Sequence, residues 1–243
     1  MRRAAGAALL CALAVALGGC GALEDLRGGE ETIATVPMPP EATDVAPVLE
    51  PGRDGCNHKR PPAADEPRPA FDEAPPSPLA GLGPWTVTMA TSCGAIRIEL
   101  DPELGGDATA AFAALARAGY YDGLTMHRVV PSFVIQGGDP DGTGAGGPGF
   151  TVESPPPGNY AYRNGDVAMA KAGNEPPGTA GSQFFIVSTE SGAAQLEPLY
   201  AVVGHVVDDD SAATLRRIDA LGVDDGPPVE PVWIWTARLA EGG

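Results

Sequence analysis

The sequence predicts a mainly β fold, a closed antiparallel barrel capped by two α-helices, over residues 84–243. About seven segments of this region alternate apolar and polar residues or are continuously apolar, as strands are. Only two segments have the periodicity of a helix, one early and one late. A closed barrel fits this pattern because closure removes the exposed edges that an open sheet would leave.

The predicted strands are separated by glycine, proline and polar turn residues. The first two are joined by a hairpin signal at residues 92–94, and the third is broken in two by Pro131-Ser132. In chain order the strands are residues 85–91, 95–100, 126–130 with 133–136, 167–170, 183–188, 200–207 and 232–239.

Two helix patterns accompany these strands. Asp107 is predicted to cap a helix over residues 108–118, which Gly119 ends. The second helix starts at three aspartates, residues 208–210, and has an arginine pair at 216–217 near its end. Its two ends therefore complement the helix dipole.

The first 83 residues are predicted to carry an export signal and a linker. Residues 1–19 combine Arg2-Arg3 with a short apolar run, which is typical of a signal peptide. Residues 20–83 are rich in proline and acidic side chains and poor in aromatic ones, so we expect an extended, disordered tether. The alternative is that residues 56–71 pack along the domain as an arm.

The end of the signal segment, Leu17-Gly18-Gly19-Cys20, resembles a bacterial lipobox. This resemblance implies cleavage before Cys20 and lipid on its thiol and new amine. Several acyl chains on one residue anchor stably, so we expect a lipoprotein on the outer face of the bacterial cell membrane. The alternative is an ordinary secretory signal with a chance cysteine.

Two further cysteines follow in the predicted exported part. If Cys20 is lipidated, Cys56 and Cys93 are an even pair in an oxidising compartment, and a disulfide would tie the linker to the domain. Two free thiols remain an alternative. A metal site built on Cys56 and His58 is the weakest alternative, because no second ligand pair has zinc-like spacing.

Four polar residues stand in strands that are otherwise apolar. They are His127, Arg128, Gln136 and Gln183, the last beside the apolar run 184–187. An arginine among apolar residues keeps its charge in a partly desolvated environment and needs hydrogen-bond partners there. Together these residues suggest an apolar pocket rimmed by an arginine and two amides, with room for a small apolar group next to a polarised amide.

Four motifs in a fixed order carry a family resemblance. They are HRVVPSFVIQGGDPDGTGAGGPGF at 127–150, MAKAG at 169–173, GSQFFIV at 181–187 and YAVVGHVV at 200–207. In this order they resemble cyclophilin-type peptidyl-prolyl cis/trans isomerases. The resemblance implies eight strands in the barrel and an isomerase that assists the folding of exported proteins.

Rotation about an X-Pro bond needs no nucleophile, metal or cofactor. It needs donors that favour a pyramidal prolyl nitrogen and a pocket that holds the ring. By resemblance Arg128 is the catalytic donor, Gln136 and Gln183 orient the arginine and the substrate backbone, and Phe133 stands at the ring. The implied substrate contacts are Phe133, Val134, Ala170, Lys171, Ala172, Gln183, Phe185, Leu196 and Tyr200. Lys171 and Tyr200 depart from the residues often found at these positions.

The remaining residues have plainer interpretations. We interpret His127 as a packed histidine and the glycine loop, residues 137–149, as structural. A calcium loop would need a glutamate where Phe150 stands. The alternative to an isomerase is a cyclophilin-fold module that binds proline-containing segments without turnover, which would not need Arg128.

Charge limits the partners. The net charge is −17 and the sequence has no basic patch, which argues against nucleic acid as a binding partner. We expect the partners to be proline-containing segments of unfolded or exported proteins, and the membrane through lipid on Cys20. We expect the domain to act as a monomer.

Overall fold

A computed structural model of the chain describes residues 52, 54–81 and 83–241. The predicted signal peptide, Cys20 and the first part of the predicted tether lie outside these residues. The described strands are β1 (Trp85–Thr91), β2 (Gly94–Leu100), β3 (Arg128–Val130), β4 (Val134–Gly137), β5 (Val152–Glu153), β6 (Asp166–Met169), β7 (Thr179–Ala180), β8 (Phe184–Val187), β9 (Val202–Val206) and β10 (Ile234–Glu241). The described α-helices are α1 (Pro102–Arg117), α2 (Glu190–Ala193) and α3 (Asp209–Asp219).

Eight strands form one antiparallel sheet in the order β10-β1-β2-β9-β6-β8-β4-β3, while β5 pairs with β7. The mainly β fold with eight strands is confirmed, and the first and last strands pair, with Trp85 opposite Glu241. The prediction of a closed barrel is wrong, because β3 and β10 remain the edges of a half-barrel. Among the described residues, only an isolated bridge between Thr125 and Trp233 and a few neighbouring backbone hydrogen bonds span the gap.

The reason for the opening lies at the outer edge of β3. The N–H of Val129 donates to the Gly226 carbonyl at 3.0 Å, and the Val129 carbonyl accepts from the N–H of Val223 at 3.1 Å. The loop after α3 thus takes the hydrogen-bonding groups that a neighbouring strand would need. An edge covered by a loop is also protected without closure.

Helix α1 starts earlier than predicted. Its cap is Asp101, whose Oδ1 accepts from the N–H of Leu104 at 2.9 Å, and Pro102 occupies the first turn. The backbone at Gly106 is not helical, with φ of +48°, so a kink separates this first turn from the segment that corresponds to the predicted helix over residues 108–118. Asp107, the predicted cap, is the first residue after the kink. Gly119, with φ of +72°, ends the helix as predicted.

Helix α3 agrees with the sequence. Asp208 caps it by accepting from the N–H of Ser211 at 2.7 Å, and the arginine pair at 216–217 lies in its last turn. Helix α2 was not predicted; it has four residues and is capped by Thr189. Within the described ranges no helix is long and apolar enough to cross a bilayer.

Residues 54–81 pack on the domain, so the prediction of a disordered tether through residue 83 is wrong for this part. A disulfide joins Cys56 to Cys93, and both cysteines are buried. The N–H of Asn57 donates to the Ser92 carbonyl at 2.6 Å. Farther on, the ring of Phe71 lies 6.2 Å from that of Tyr120. These few anchors offset a composition that is otherwise typical of disorder; we call residues 54–81 the N-terminal arm.

Candidate active site

A row of residues directly opposite each other crosses four strands. Arg128 on β3 faces Gln136 on β4, which faces Phe185 on β8, which faces Ala168 on β6. Side chains of directly opposed residues project from the same face of a sheet. The fold therefore brings the predicted arginine, amide and aromatic residue together. The adjacent row points the other way and is fully buried in the main core: Val129, Ile135, Ile186 and Val167.

A chain of hydrogen bonds links the polar residues of the site. Nη1 of Arg128 donates to Oε1 of Gln136 at 3.4 Å, and Nε2 of Gln136 donates to Oε1 of Gln183 at 3.0 Å. Nε2 of Gln183 then donates to the Gly146 carbonyl at 2.9 Å. Each glutamine thus accepts with its oxygen and donates with its nitrogen. This series of hydrogen bonds fixes both amide groups and holds one side of the Arg128 guanidinium.

The apolar residues predicted to contact the substrate form a cluster of their own, apart from the main core. Its members among the predicted residues are Phe133, Val134, Ala170, Phe185, Leu196 and Tyr200. The rings of Phe185 and Tyr200 meet edge to face, 5.2 Å apart. Phe184, the next residue along the strand, belongs to the main core and packs on Phe112. The two adjacent phenylalanines face opposite ways, as strand geometry requires.

A cavity of about 660 Å³ opens beside the two glutamines. Of the predicted residues, Gln136, Ala170, Lys171, Ala172 and Gln183 line it. The ammonium of Lys171 is turned toward its own loop, since it donates to the carbonyls of Ala172 and Glu175, both at 3.1 Å. It also lies 5.8 Å from the centre of the Tyr200 ring.

Residues 144–151 form another wall of this cavity, so our interpretation of the glycine loop as only structural is incomplete. The loop is held by Asp139, which is 1% exposed and accepts the N–H of Asp141 at 2.8 Å. Burial raises the pKa of Asp139, but backbone N–H donors, including those of Gly144 and Gly146, outweigh burial and hold the pKa below its usual value. The charged carboxylate therefore orders the cavity wall.

The structure adds one partner that sequence reasoning missed. Nε of Arg128 donates to Oδ1 of Asp225 at 2.6 Å. We found no carboxylate near Arg128 in the sequence, and Asp225 lies 97 residues away. No local pattern signals such a contact.

The sequence model described as "Cyclophilin type peptidyl-prolyl cis-trans isomerase/CLD" matches residues 86–239. The chain belongs to this family. Peptidyl-prolyl cis-trans isomerase B of Bacillus subtilis is 52% identical over 93 residues, 38% of this chain and 63% of the relative. Probable peptidyl-prolyl cis-trans isomerase B of Mycobacterium leprae is 37% identical over 209 residues, 76% of this chain and 67% of the relative.

Solved cyclophilin structures share the fold. The crystal structure of a Cryptosporidium parvum cyclophilin type peptidyl-prolyl cis-trans isomerase, in the presence of the dipeptide Ala-Pro, matches with a TM-score of 0.57 and 30% identity. The match covers 65% of this chain and 99% of that one. Another crystal structure of the same protein matches with a TM-score of 0.58.

His127 sits in the cyclophilin domain as a packed residue. The residue is 8% exposed, and neither ring nitrogen has a hydrogen-bond partner among the described residues. Burial lowers its pKa, so the ring is neutral at pH 7.

The described part of the cyclophilin domain has no group of three or more His, Cys, Asp or Glu residues placed to hold a metal ion. Cys56, a candidate metal ligand in the sequence, is in the disulfide with Cys93 instead.

Proposed function

We propose that this cyclophilin catalyses cis/trans rotation of X-Pro bonds in peptides without a covalent intermediate. The observation that carries the proposal is the placement of Arg128 in one cross-strand row with Gln136 and Phe185. This row sets a guanidinium at the border of an apolar cluster. A proline ring and its polarised amide need these two surroundings side by side.

The chemistry follows from the barrier to rotation, about 18–20 kcal/mol, which arises from amide resonance. A donor that bonds to the prolyl nitrogen once its lone pair is released stabilises the twisted state more than either planar state. Two of the five guanidinium N–H groups of Arg128 are engaged, by Gln136 and Asp225. The other three have no protein partner among the described residues, and we assign this donor role to them.

The apolar cluster holds the proline ring while the other half of the bond turns. Phe133, Phe185 and Tyr200 supply aromatic surface there. The residues before proline are proposed to lie along Ala170 and Ala172, at the border of the cavity. The C. parvum structure obtained in the presence of Ala-Pro supports a proline-containing ligand for this family.

The decisive test compares the purified full-length protein with its Arg128→Ala variant on a short Ala-Pro-Phe peptide. We expect kcat/KM to fall by about 10²-fold or more, as for other key transition-state donors. Arg97→Ala is the matched control, because Arg97 is an exposed arginine whose ion-pair partner is Asp208. A folded wild-type protein that binds the peptide without turnover would instead establish a binding module.

We also propose that the protein is exported, anchored by lipid on Cys20, and assists the folding of exported proteins. The motif before Cys20 supports the anchor, and the Cys56–Cys93 disulfide is typical of an oxidising compartment. Mass spectrometry of the protein from membranes of the expressing bacterium tests this. We expect an acylated N-terminus at Cys20 that is lost in Cys20→Ser, and an unmodified terminus would refute the anchor.

A further inference from the structure

The loop that carries Asp225 is fixed to the strand that carries Arg128. Val223 and Gly226, on either side of Asp225, both bond to the backbone of Val129, the residue next to Arg128. The approach is close at the start of the loop as well, where a Cβ on Gly222 would lie 2.8 Å from the Val129 carbonyl oxygen. These backbone contacts therefore hold Asp225 close to Arg128, so that its carboxylate does not depend on a mobile loop to reach the guanidinium.

The guanidinium of Arg128 is held at two of its edges. Asp225 accepts from Nε at 2.6 Å, and Gln136 accepts from Nη1 at 3.4 Å. One hydrogen bond lets a planar group swing about the contact, whereas two bonds on different nitrogens set the plane. The three remaining N–H donors then have a defined direction before substrate arrives, and such preorganisation is what electrostatic catalysis requires.

Asp225 has two opposing effects on the site. It orients the guanidinium, and its negative charge weakens the positive potential that a prolyl nitrogen would meet. The Asp225 side chain is 74% exposed, so water and salt screen its charge, while the short hydrogen bond remains. The gain from orienting the Arg128 guanidinium therefore outweighs the loss of positive potential at the prolyl nitrogen.

We propose that Asp225 is a positioning residue of this isomerase, which holds the Arg128 guanidinium in the direction that serves the prolyl nitrogen. The proposal rests on the proposed function. Asp225 acts through Arg128, so its effect should fall on kcat and should disappear once Arg128 is removed.

The kinetic test uses three variants of the full-length protein. We expect Asp225→Ala to lower kcat by about three- to tenfold with KM within about twofold of wild type. Asp225→Asn keeps an acceptor oxygen and should retain at least half of the wild-type kcat. Asp224→Ala removes the same charge from the adjacent, exposed position and should leave kcat unchanged.

A double-mutant cycle completes the kinetic test. Adding Asp225→Ala to Arg128→Ala should lower kcat no further, because the residue to be positioned is gone. An unchanged kcat in Asp225→Ala, or an equal loss in Asp224→Ala, would overturn the proposal. A loss in Asp225→Asn as large as in Asp225→Ala would overturn it too, by showing that charge matters and not the acceptor.

A spectroscopic measurement separates this proposal from the proposed function. The Nε–H of Arg128 should exchange slowly with water in ¹⁵N NMR of the wild type, and about tenfold or more faster in Asp225→Ala but not in Asp224→Ala. If the wild type lacks isomerase activity, the proposed function fails while this resonance still reports the contact. Equal exchange in wild type and Asp225→Ala refutes the positioning contact whatever the activity.

Discussion

Loss of the Cys56–Cys93 disulfide should lower the free energy of unfolding by about 4 kcal/mol. The bond closes a loop with a sequence separation of 37 residues. The chain-entropy relation for such a loop gives about 13 cal/mol/K, or about 4 kcal/mol at 25 °C. The suitable variant is Cys56→Ala/Cys93→Ala, since serine would bury two unpaired hydroxyls at positions that are 0% and 2% exposed.

Urea denaturation of the full-length protein, followed by tryptophan fluorescence, measures this difference. Because the loop acts on the unfolded chain, the variant should also show a larger m value, as its unfolded state expands. The melting temperature should fall by about 10 °C in a domain of this size. Wild type with reductant should match the alanine variant, and reductant should not affect the variant.

Two results would refute this reasoning. One is an equal denaturation midpoint with and without reductant once thiol titration shows that both cysteines are reduced. The other is an intact protein mass that includes two free thiols without any reductant. The first would show that the cross-link does not constrain the unfolded chain, and the second that the cross-link is absent.

Two further predictions concern the N-terminal arm. Phe71→Ala should destabilise the domain by about 2 kcal/mol and raise KM for peptides that reach the cavity, because Phe71 packs on Phe150 in the cavity wall. Phe71→Leu is the control. An unchanged KM in Phe71→Ala would show that the arm does not influence the site. Burial lowers the pKa of His58, but hydrogen bonds to the Pro231 carbonyl and Asp54 outweigh it and raise the net pKa. Protonated His58 therefore stabilises the folded arm. This contribution is complete below pH about 6.5 and is lost as the pH rises through the raised pKa of His58. Amide hydrogen exchange at residues 54–58 should therefore become faster from pH 6 to 9 by more than its intrinsic pH dependence. A ratio of wild-type to His58→Ala exchange rates that does not change with pH would contradict this.

The sequence predicted the strands well where alternation was regular. Residues 85–91 were predicted as they are observed, because Trp85, Val87 and Met89 alternate with polar residues along most of β1. Helix α1 began earlier than predicted, because both Asp101 and Asp107 are plausible caps and only the fold decides between them. The two-residue strands β5 and β7 are too short for any periodic signal.

The site was predictable to the extent that its residues lie in motifs. Arg128, Gln136 and Gln183 were singled out as polar residues in apolar strands, and the structure places them in one hydrogen-bonded chain. Asp225 was not predictable, because its contact depends on where a loop meets an edge strand 97 residues away in sequence. The arm was only the alternative to a disordered tether, because the average composition of a segment does not reveal a single anchoring residue such as Cys56.

The covered edge of β3 also limits how a substrate can be recognised. A peptide that adds to a sheet as an extra strand needs free N–H and C=O groups at an edge. At Val129 both groups are already used by the loop after α3. A substrate beside Arg128 must therefore be bound on the face of the sheet, through its proline ring and the adjoining amide. On the proposed function, the proline ring and the residues before it would then be the main determinants of recognition, with no contribution from strand addition at β3.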